Sequence, residues 1–233
     1  MAQVLGKCRD QQKGYGRVGS GNGLSDRRIE NVINKVAIAA CLYMLLVVSV
    51  SSQATRGDKA GWTELFNGKD LSGWHLRNPQ GPNGWKVVDG VYVNTPPSTD
   101  IQTDTEYYDF ELHVEFNVAS NGNSGVYLRD KYEVQIFDSF GKPIVDNGCG
   151  ALYRRKAPSV NASKPAGEWQ TFDIFFKGQR LTVIHNGRKV LDDVETGPKG
   201  TGAASNRGDG PGALRLQGDH EAVSFRNLRI RPL

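Results

Sequence analysis

From residue 61 onward, apolar and polar positions alternate in short runs, and Gly, Asn or Asp interrupts each run before it reaches helical length. "FELHVEFNV" (110–118) is the clearest case. Phe110, Leu112, Val114 and Phe116 fall on one face, and Glu111, His113, Glu115 and Asn117 on the other, as the two-residue period of a strand requires. "WKVV-DG-VYV" (85–93) and "LTVIH-NG-RKVL" (181–191) set Asp-Gly and Asn-Gly between apolar runs, the strongest short hairpin signals. "WQTFDIFF-KG-QRLTVI" (169–184) predicts a further turn at Lys177-Gly178, and "ALRLQ" (213–217) and "AVSFRNLRIR" (222–231) close the chain. There is no convincing amphipathic helix and no internal repeat. Many short strands punctuated by turns predict an all-β sandwich or barrel.

The stretch "NSGVYLRDKYEVQIFDS" (123–139) carries more hydrogen-bonding side chains than a strand pair needs. Val126, Leu128, Tyr132, Val134 and Ile136 read as an apolar face, and Tyr127, Glu133, Gln135 and Phe137 as the opposite one. A two-residue turn at Asp130-Lys131 sets Leu128 opposite Glu133 and mixes the faces. A three-residue loop, 129–131, sets Leu128 opposite Tyr132, Val126 opposite Val134 and Tyr127 opposite Glu133. A one-residue slip exchanges the faces, so the pattern predicts the odd-length loop. If strand 110–117 neighbours this hairpin, Glu115 joins Tyr127, Glu133 and Gln135 in one acidic platform. The alternative is an ordinary solvated face of an antiparallel sheet. The apolar ring of Phe137 and the lack of matching Lys or Arg on that face weigh against it.

The first quarter of the chain differs. Residues 36–50, "VAIAACLYMLLVVSV", are uncharged and nearly all apolar, with Arg27, Arg28 and Lys35 before them and Ser52 and Ala54 after. A basic flank, a short apolar core and a small-x-small site describe a signal peptide, with cleavage expected after Ala54. The run falls short of the ~20 residues of a membrane span; an uncleaved membrane anchor is the alternative. "IAAC", ending at Cys41, faintly resembles a lipoprotein box, but the apolar run continues past it. The long Gly-, Ser- and Arg-rich start shows no periodicity and reads as disordered or as a mis-assigned start, and 55–60 reads as a linker. Residues 1–54 hold seven of the 29 basic and three of the 25 acidic residues, so the remainder is formally neutral. It carries no electrostatic footprint of a nucleic-acid binder. Cys149 is the one cysteine after residue 54, which leaves no intrachain disulfide there and no Cys-rich zinc site. Export to the periplasm or beyond is the expectation, and disulfides are not obligatory there.

Several segments fall in an order that resembles the 3-keto-disaccharide hydrolase family, also labelled 3-keto-glucoside lyase / 2-hydroxy-glucal hydratase. They are "LFNGKDLSGW" (65–74), "YYDFELHVEFNV" (107–118), "GNSGVYLRDKYEVQIFDS" (122–139), "GALY" (150–153), "GEWQTFDI" (167–174), "NGRKV" (186–190) and "LQGDHEAVSFRNLRIRPL" (216–233). The resemblance covers residues 61–233. It implies a concanavalin A-like jelly-roll β-sandwich of two antiparallel sheets, a carbohydrate site on the concave sheet, and an oligosaccharide or 3-keto-sugar as substrate. Gln217 and His220 match the family's C-terminal Gln-x-x-His pattern.

A 3-keto-glycoside invites a particular chemistry. The C3 ketone acidifies the C2 proton, a base removes it, the glycosidic oxygen leaves C1 by β-elimination, and water adds to the enone. This route needs one base, donors for the enolate and an acid for the leaving group, not the paired carboxylates of ordinary glycosidases, and it calls for no cofactor. Glu133 is the candidate base, with Gln135 and Tyr127 beside it. His220 is the second acid–base candidate, since histidine is the side chain suited by type to proton transfer near neutrality. Arg129 and Asp138 flank the strand and are candidates to polarise the ketone or bind hydroxyls, with Glu115 alongside if the sheets agree. Trp169, Phe137 and Tyr153 are candidate stacking surfaces for sugar. His113, Glu115 and Asp138 are metal-type donors whose spacing matches no ligand pattern, so a metal requirement is left open. The rival readings are a non-catalytic carbohydrate-binding module, a conventional glycosidase on the same fold and a cell-surface interaction protein. "EVQIFD" places Gln135 where a double-displacement enzyme of this fold carries its central acid, which argues against the glycosidase.

Overall fold

The computed structural model describes residues 61–202 and 208–233. The apolar run at 36–50, the cleavage position after Ala54 and the linker at 55–60 lie outside the described residues. Among the described residues no helix is long and apolar enough to cross a membrane.

The strands, in chain order, are β1 (Thr63–Glu64), β2 (Trp74–Leu76), β3 (Trp85–Val88), β4 (Val91–Asn94), β5 (Ile101–Tyr107), β6 (Phe110–Val118), β7 (Asn123–Leu128), β8 (Tyr132–Phe137), β9 (Gln170–Lys177), β10 (Arg180–His185), β11 (Arg188–Glu195), β12 (Gly212–Leu216) and β13 (Val223–Pro232). They form two sheets. The larger runs β11-β10-β9-β6-β13-β4-β3, with β1 also on β13, and the smaller runs β2-β5-β12-β7-β8. Every pairing is antiparallel. The architecture is the all-β, concanavalin A-like jelly-roll sandwich.

Turn chemistry accounts for the hairpins. β3–β4 closes over Asp89-Gly90 (φ 49° and 76°) and β10–β11 over Asn186-Gly187 (φ 49° and 77°), the left-handed pair of a type I′ turn. β9–β10 reverses over Gly178-Gln179, one residue later than the sequence suggests, because Lys177 pairs with Arg180. The Asp109 carboxylate accepts the Gly178 N–H at 2.7 Å and fixes that turn.

The β7–β8 hairpin has the expected register, with Tyr127 opposite Glu133 and Leu128 opposite Tyr132. Its loop holds Arg129 and Asp130 at φ 54° and 52°, a region that costs non-glycine residues about 1–3 kcal/mol each. Several contacts hold them there. Asp130 N–H donates to the Ala213 carbonyl at 2.7 Å, Arg129 Nε donates to the Tyr108 carbonyl at 2.7 Å, and the Arg129 guanidinium lies 4.0 and 4.1 Å from the Tyr108 and Phe176 ring centres.

The core lies between the sheets. β6 alternates buried and half-buried residues along its whole length. Phe116 packs on Phe172 within the larger sheet at 4.6 Å between ring centres, and Tyr132 of the smaller sheet meets Phe176 of the larger edge-on at 5.6 Å. One expectation needs correction. β6 belongs to the larger sheet, between β9 and β13, and does not neighbour the β7–β8 hairpin. Alternation assigns a side chain to a face but not a strand to a sheet.

Phe116 is fully buried whereas Phe175, on the neighbouring strand, is 38% exposed. Phe116→Ala is therefore expected to cost about 3–5 kcal/mol, and Phe175→Ser less than about 0.5 kcal/mol. Urea denaturation of the two variants checks the difference.

Candidate functional site

The polar face of the hairpin is not solvated. Tyr127 is fully buried, and Glu133 and Gln135 are each only 3% exposed. β8 is the edge strand of the smaller sheet, and an edge left open is a hazard that proteins cover. Here backbone covers it. The Gln135 N–H donates to the Ala151 carbonyl at 3.0 Å, the Gly150 N–H to the Gln135 carbonyl at 2.8 Å, and the Tyr153 N–H to the Glu133 carbonyl at 3.1 Å. On the Lys131 side, the Thr201 N–H donates to the Lys131 carbonyl at 2.9 Å, and Thr201 Oγ1 accepts the Glu133 N–H at 2.7 Å. These bonds deliver Tyr153 from one segment and Gly202 from another to the two sides of Glu133.

The result is a cleft of about 330 Å³ lined by Asn123, Tyr127, Glu133, Gln135, Tyr153, Gly202, Gln217 and His220. Tyr127 donates its hydroxyl to Glu133 Oε2 at 2.8 Å. Burial pushes the Glu133 carboxyl up to about 7, against the opposing pull of the Tyr127 hydrogen bond and of Arg215 and His220. His220 is partly exposed at the rim, its Nδ1 2.6 Å from Asp219 Oδ1. Gln135 donates Nε2 to the Asn147 carbonyl at 3.3 Å. The amide oxygens of Asn123, Gln135 and Gln217 are buried and have no hydrogen-bond partner among the described residues. Unpaired buried acceptors are costly, and a polyhydroxylated ligand supplies the donors they lack. Glu133 is the one carboxyl among the described residues that line the cleft.

Two glycines set its shape. A Cβ on Gly202 would stand 1.9 Å from Glu133 Oε2 and 2.7 Å from the Tyr127 hydroxyl. A Cβ on Gly125 would stand 2.7 Å from Glu133 Oε1. The carboxylate is thus confined between two positions where side chains are missing.

Glu133, Gln135, Tyr127, Tyr153, Gln217 and His220, all named by sequence, come together in this cleft. Others do not. Glu115 lies on the outer face of the larger sheet, 2.7 Å from Arg226 Nε and 2.7 Å from Asn227 Nδ2. Trp169 is on that sheet's side too, its ring 4.0 Å from the Arg226 guanidinium. His113 pairs there with Asp173 at 2.6 Å. Arg129 is spent on the β7–β8 loop and on Asp109, 3.2 Å away. Asp138 accepts the Asn121 N–H at 3.0 Å, and Phe137 lies under the Lys142 ammonium at 5.2 Å; neither lines the cleft. Among the described residues no His, Cys, Asp and Glu side chains gather in a metal-binding cluster.

Sequence reasoning missed Asn123, Gly202 and Thr201, and a residue beneath the cleft, Arg215. Arg215 was legible in principle. In "ALRLQ" it alternates with Leu214 and Leu216, which puts it on the polar face.

A family model described as a 3-keto-alpha-glucoside-1,2-lyase-like domain matches residues 61–231. A Bacteroides thetaiotaomicron protein named 3-keto-disaccharide hydrolase is 24% identical over 290 residues, covering 100% of this chain and 95% of its own. Solved structures of two candidate glycosyl hydrolases from Parabacteroides distasonis share the fold. One is 32% identical with a TM-score of 0.66, over 75% of this chain and 84% of its own. The other is 27% identical with a TM-score of 0.64, over 74% of this chain and 94% of its own. The chain belongs to the 3-keto-alpha-glucoside-1,2-lyase-like family.

Proposed function

We propose that this protein is a carbohydrate-active enzyme that cleaves 3-keto-glycosides, 3-keto-disaccharides among them, by elimination and hydration. The observation that carries this reading is the single carboxyl of the cleft. Ordinary retaining and inverting glycosidases place two carboxyl groups across the scissile bond. Here Gln135 follows Glu133 on the same strand face, and no second acid lines the cleft among the described residues. A lone base held near neutrality suits proton abstraction from carbon, because general bases work best with a pKa close to the working pH.

In this scheme Glu133 takes the C2 proton, made acidic by the C3 ketone. The side-chain amide N–H groups around the cleft are the donors for the oxygen that becomes an enolate, while the Tyr127 hydroxyl stays on Glu133. Electrons return from that enolate as the C1–O bond breaks, and His220 at the rim protonates the departing alcohol. Water then adds its hydroxyl to C1 of the enone and gives its remaining proton to His220, while Glu133 returns a proton to C2. The net change is hydrolysis, with no oxidant consumed. The same proposal places the enzyme outside the cytoplasm, on the strength of the leader at 36–50 and the formally neutral remainder.

The direct test incubates the purified protein in D₂O with a 3-keto-disaccharide and with its unoxidised parent. Cleavage of the keto sugar alone, with deuterium at C2 of the product, is the expected result. Glu133→Gln should lower the rate by roughly 10²–10⁴-fold. Saturable binding of glycans without turnover of either sugar would instead mark a carbohydrate-binding module.

Gly202→Ala should act on the same carboxylate. Its Cβ would stand 1.9 Å from Glu133 Oε2, and displacement of a catalytic group by ~1 Å costs on the order of 10²-fold. The kcat should fall while circular dichroism stays unchanged.

Stability should move in the opposite direction. The folded-state pKa of Glu133 is raised from 4.5 to about 7. Below pH 4.5 the group is protonated in both states and costs nothing. Between pH 4.5 and about 7 the unfolded chain ionises it while the folded state holds it neutral, so the penalty grows and above pH 7 stays on the order of 3 kcal/mol. Glu133→Gln should therefore melt at higher temperature than the parent above pH 7, and show no such gain below pH 4.5. Melting curves across that range check the sign.

A further inference from the structure

Arg215 is the largest fully buried side chain among the described residues, and it is a cation beneath the cleft. Its guanidinium lies 3.5 Å from the Tyr127 ring centre. Nη1 is 2.8 Å from Asp100 Oδ2, and Nε is 2.8 Å from Asp130 Oδ1. Strand register explains the contact: on the outer face of the smaller sheet Arg215 stands opposite Tyr127, which stands opposite Glu133. The three side chains form one cross-strand row over β12, β7 and β8.

Both carboxylates are tied into the fold. Asp100 also accepts the Gly218 N–H at 2.9 Å, at the start of the turn that carries His220 and directly after Gln217. Asp130 sits in the left-handed loop closing β7–β8. One guanidinium therefore touches the ring that hydrogen-bonds the base, the loop beside that ring, and the turn bearing the rim histidine.

We propose that Arg215 is the positioning residue of this site, holding the Tyr127 hydroxyl on the Glu133 carboxylate by stacking under its ring while Asp100 and Asp130 fix the guanidinium plane. The assignment rests on Glu133 being the base of the proposed reaction. A cation on the face of a phenol draws density from the ring and makes its O–H a stronger donor, so the Tyr127–Glu133 bond strengthens when the carboxylate is ionised. Arginine is the residue for this task, because a planar fork can stack and pair with two carboxylates at once, and lysine cannot. The groups that act on the Glu133 carboxyl are Tyr127, Arg215, His220 and Asp100. Of these, Arg215 contacts both the ring of Tyr127 and the carboxylate of Asp100.

The test needs no substrate. Proteins carrying carbon-13 in the glutamate carboxyls are titrated by NMR, with Glu133→Gln assigning the resonance. Arg215→Lys keeps the buried charge but loses the stack. It should move the Glu133 titration upward by about one pH unit, as expected for a lost charge-assisted hydrogen bond. In a Tyr127→Phe background, which leaves Asp100 and Asp130 paired with Arg215, the same replacement should move it by less than about half as much. Equal shifts in the two backgrounds would overturn the proposal, since Arg215 would then act on Glu133 by its field alone. No shift in either would overturn it as well. Should Arg215→Lys fail to fold, Tyr127→Phe alone decides: a Glu133 titration unchanged from the parent rejects the Tyr127 route. Where turnover exists, the acidic limb of the kcat/KM profile should follow the NMR shift, with kcat lowered roughly tenfold and KM within about twofold. A shift in the titration of a protein that cleaves no keto sugar would refute the elimination reading and leave the role of Arg215 intact.

Discussion

A carboxyl group with 3% of its surface exposed can sit on the outer face of a β-sheet only if something covers that face, and in this chain the cover is backbone. Desolvation of Glu133 follows from where two segments cross the edge of β8. Residues 150–153 bond the strand on one stretch, and Thr201 bonds it on the next. The same hydrogen bonds that protect an open sheet edge from stray pairing also remove water from the carboxyl. Edge protection and desolvation of Glu133 are one structural event. For that reason the glycines matter: close passage of backbone over Glu133 leaves no room for a Cβ at Gly202 or Gly125.

Burial of this kind works against stability, and the surrounding structure shows where compensation comes from. The Arg129–Asp130 loop holds two non-glycine residues at positive φ, and burying a guanidinium with two carboxylates costs more desolvation than an apolar filling would. Neither feature helps the fold on its own account. Both persist because the sandwich core is large, with β6 and β9 aromatics interleaved against the smaller sheet. The buried guanidinium and its carboxylates belong to the smaller sheet that carries the cleft, and the apolar core they depend on is built from both sheets.

Much of the architecture could be read from the residues before the coordinates. Asp89-Gly90 and Asn186-Gly187 announce their hairpins because only certain residues tolerate the left-handed turn. The β7–β8 register follows from the demand that Leu128, Tyr132, Val126 and Val134 share a face. Glu115 marks the limit of such reading. Its strand has perfect alternation, yet alternation is blind to which sheet a strand joins, and Glu115 ends on the opposite side of the sandwich beside Arg226. Arg129 and Asp138 mark another limit, since a charged residue beside a site serves turns and loops as readily as ligands. Gly202 could not be found from its neighbours in "GPKGTGAASNRGDGPG", where glycine is common. It becomes visible only when the position of its missing Cβ is measured against Glu133.

The contrast between one carboxyl and two reaches from geometry to mechanism. A glycosidase that passes through an oxocarbenium-like state needs a low-pKa carboxylate facing the anomeric carbon and a raised partner on the leaving group. A cleft built for that chemistry keeps one of its acids well solvated or well paired. Here the single acid is desolvated, and its neighbours Asn123, Gln135 and Gln217 present uncharged amides. In the proposed reaction those amides would orient hydroxyl groups without adding charge beside Glu133. In the proposed reaction, moving a proton from carbon to Glu133 would also discharge the buried carboxylate and relieve the desolvation that raised its pKa. In that scheme negative charge would pass to the sugar oxygen, beside the amide donors that line the cleft. These properties are why we propose a substrate whose C–H bond is already acidified by an adjacent ketone.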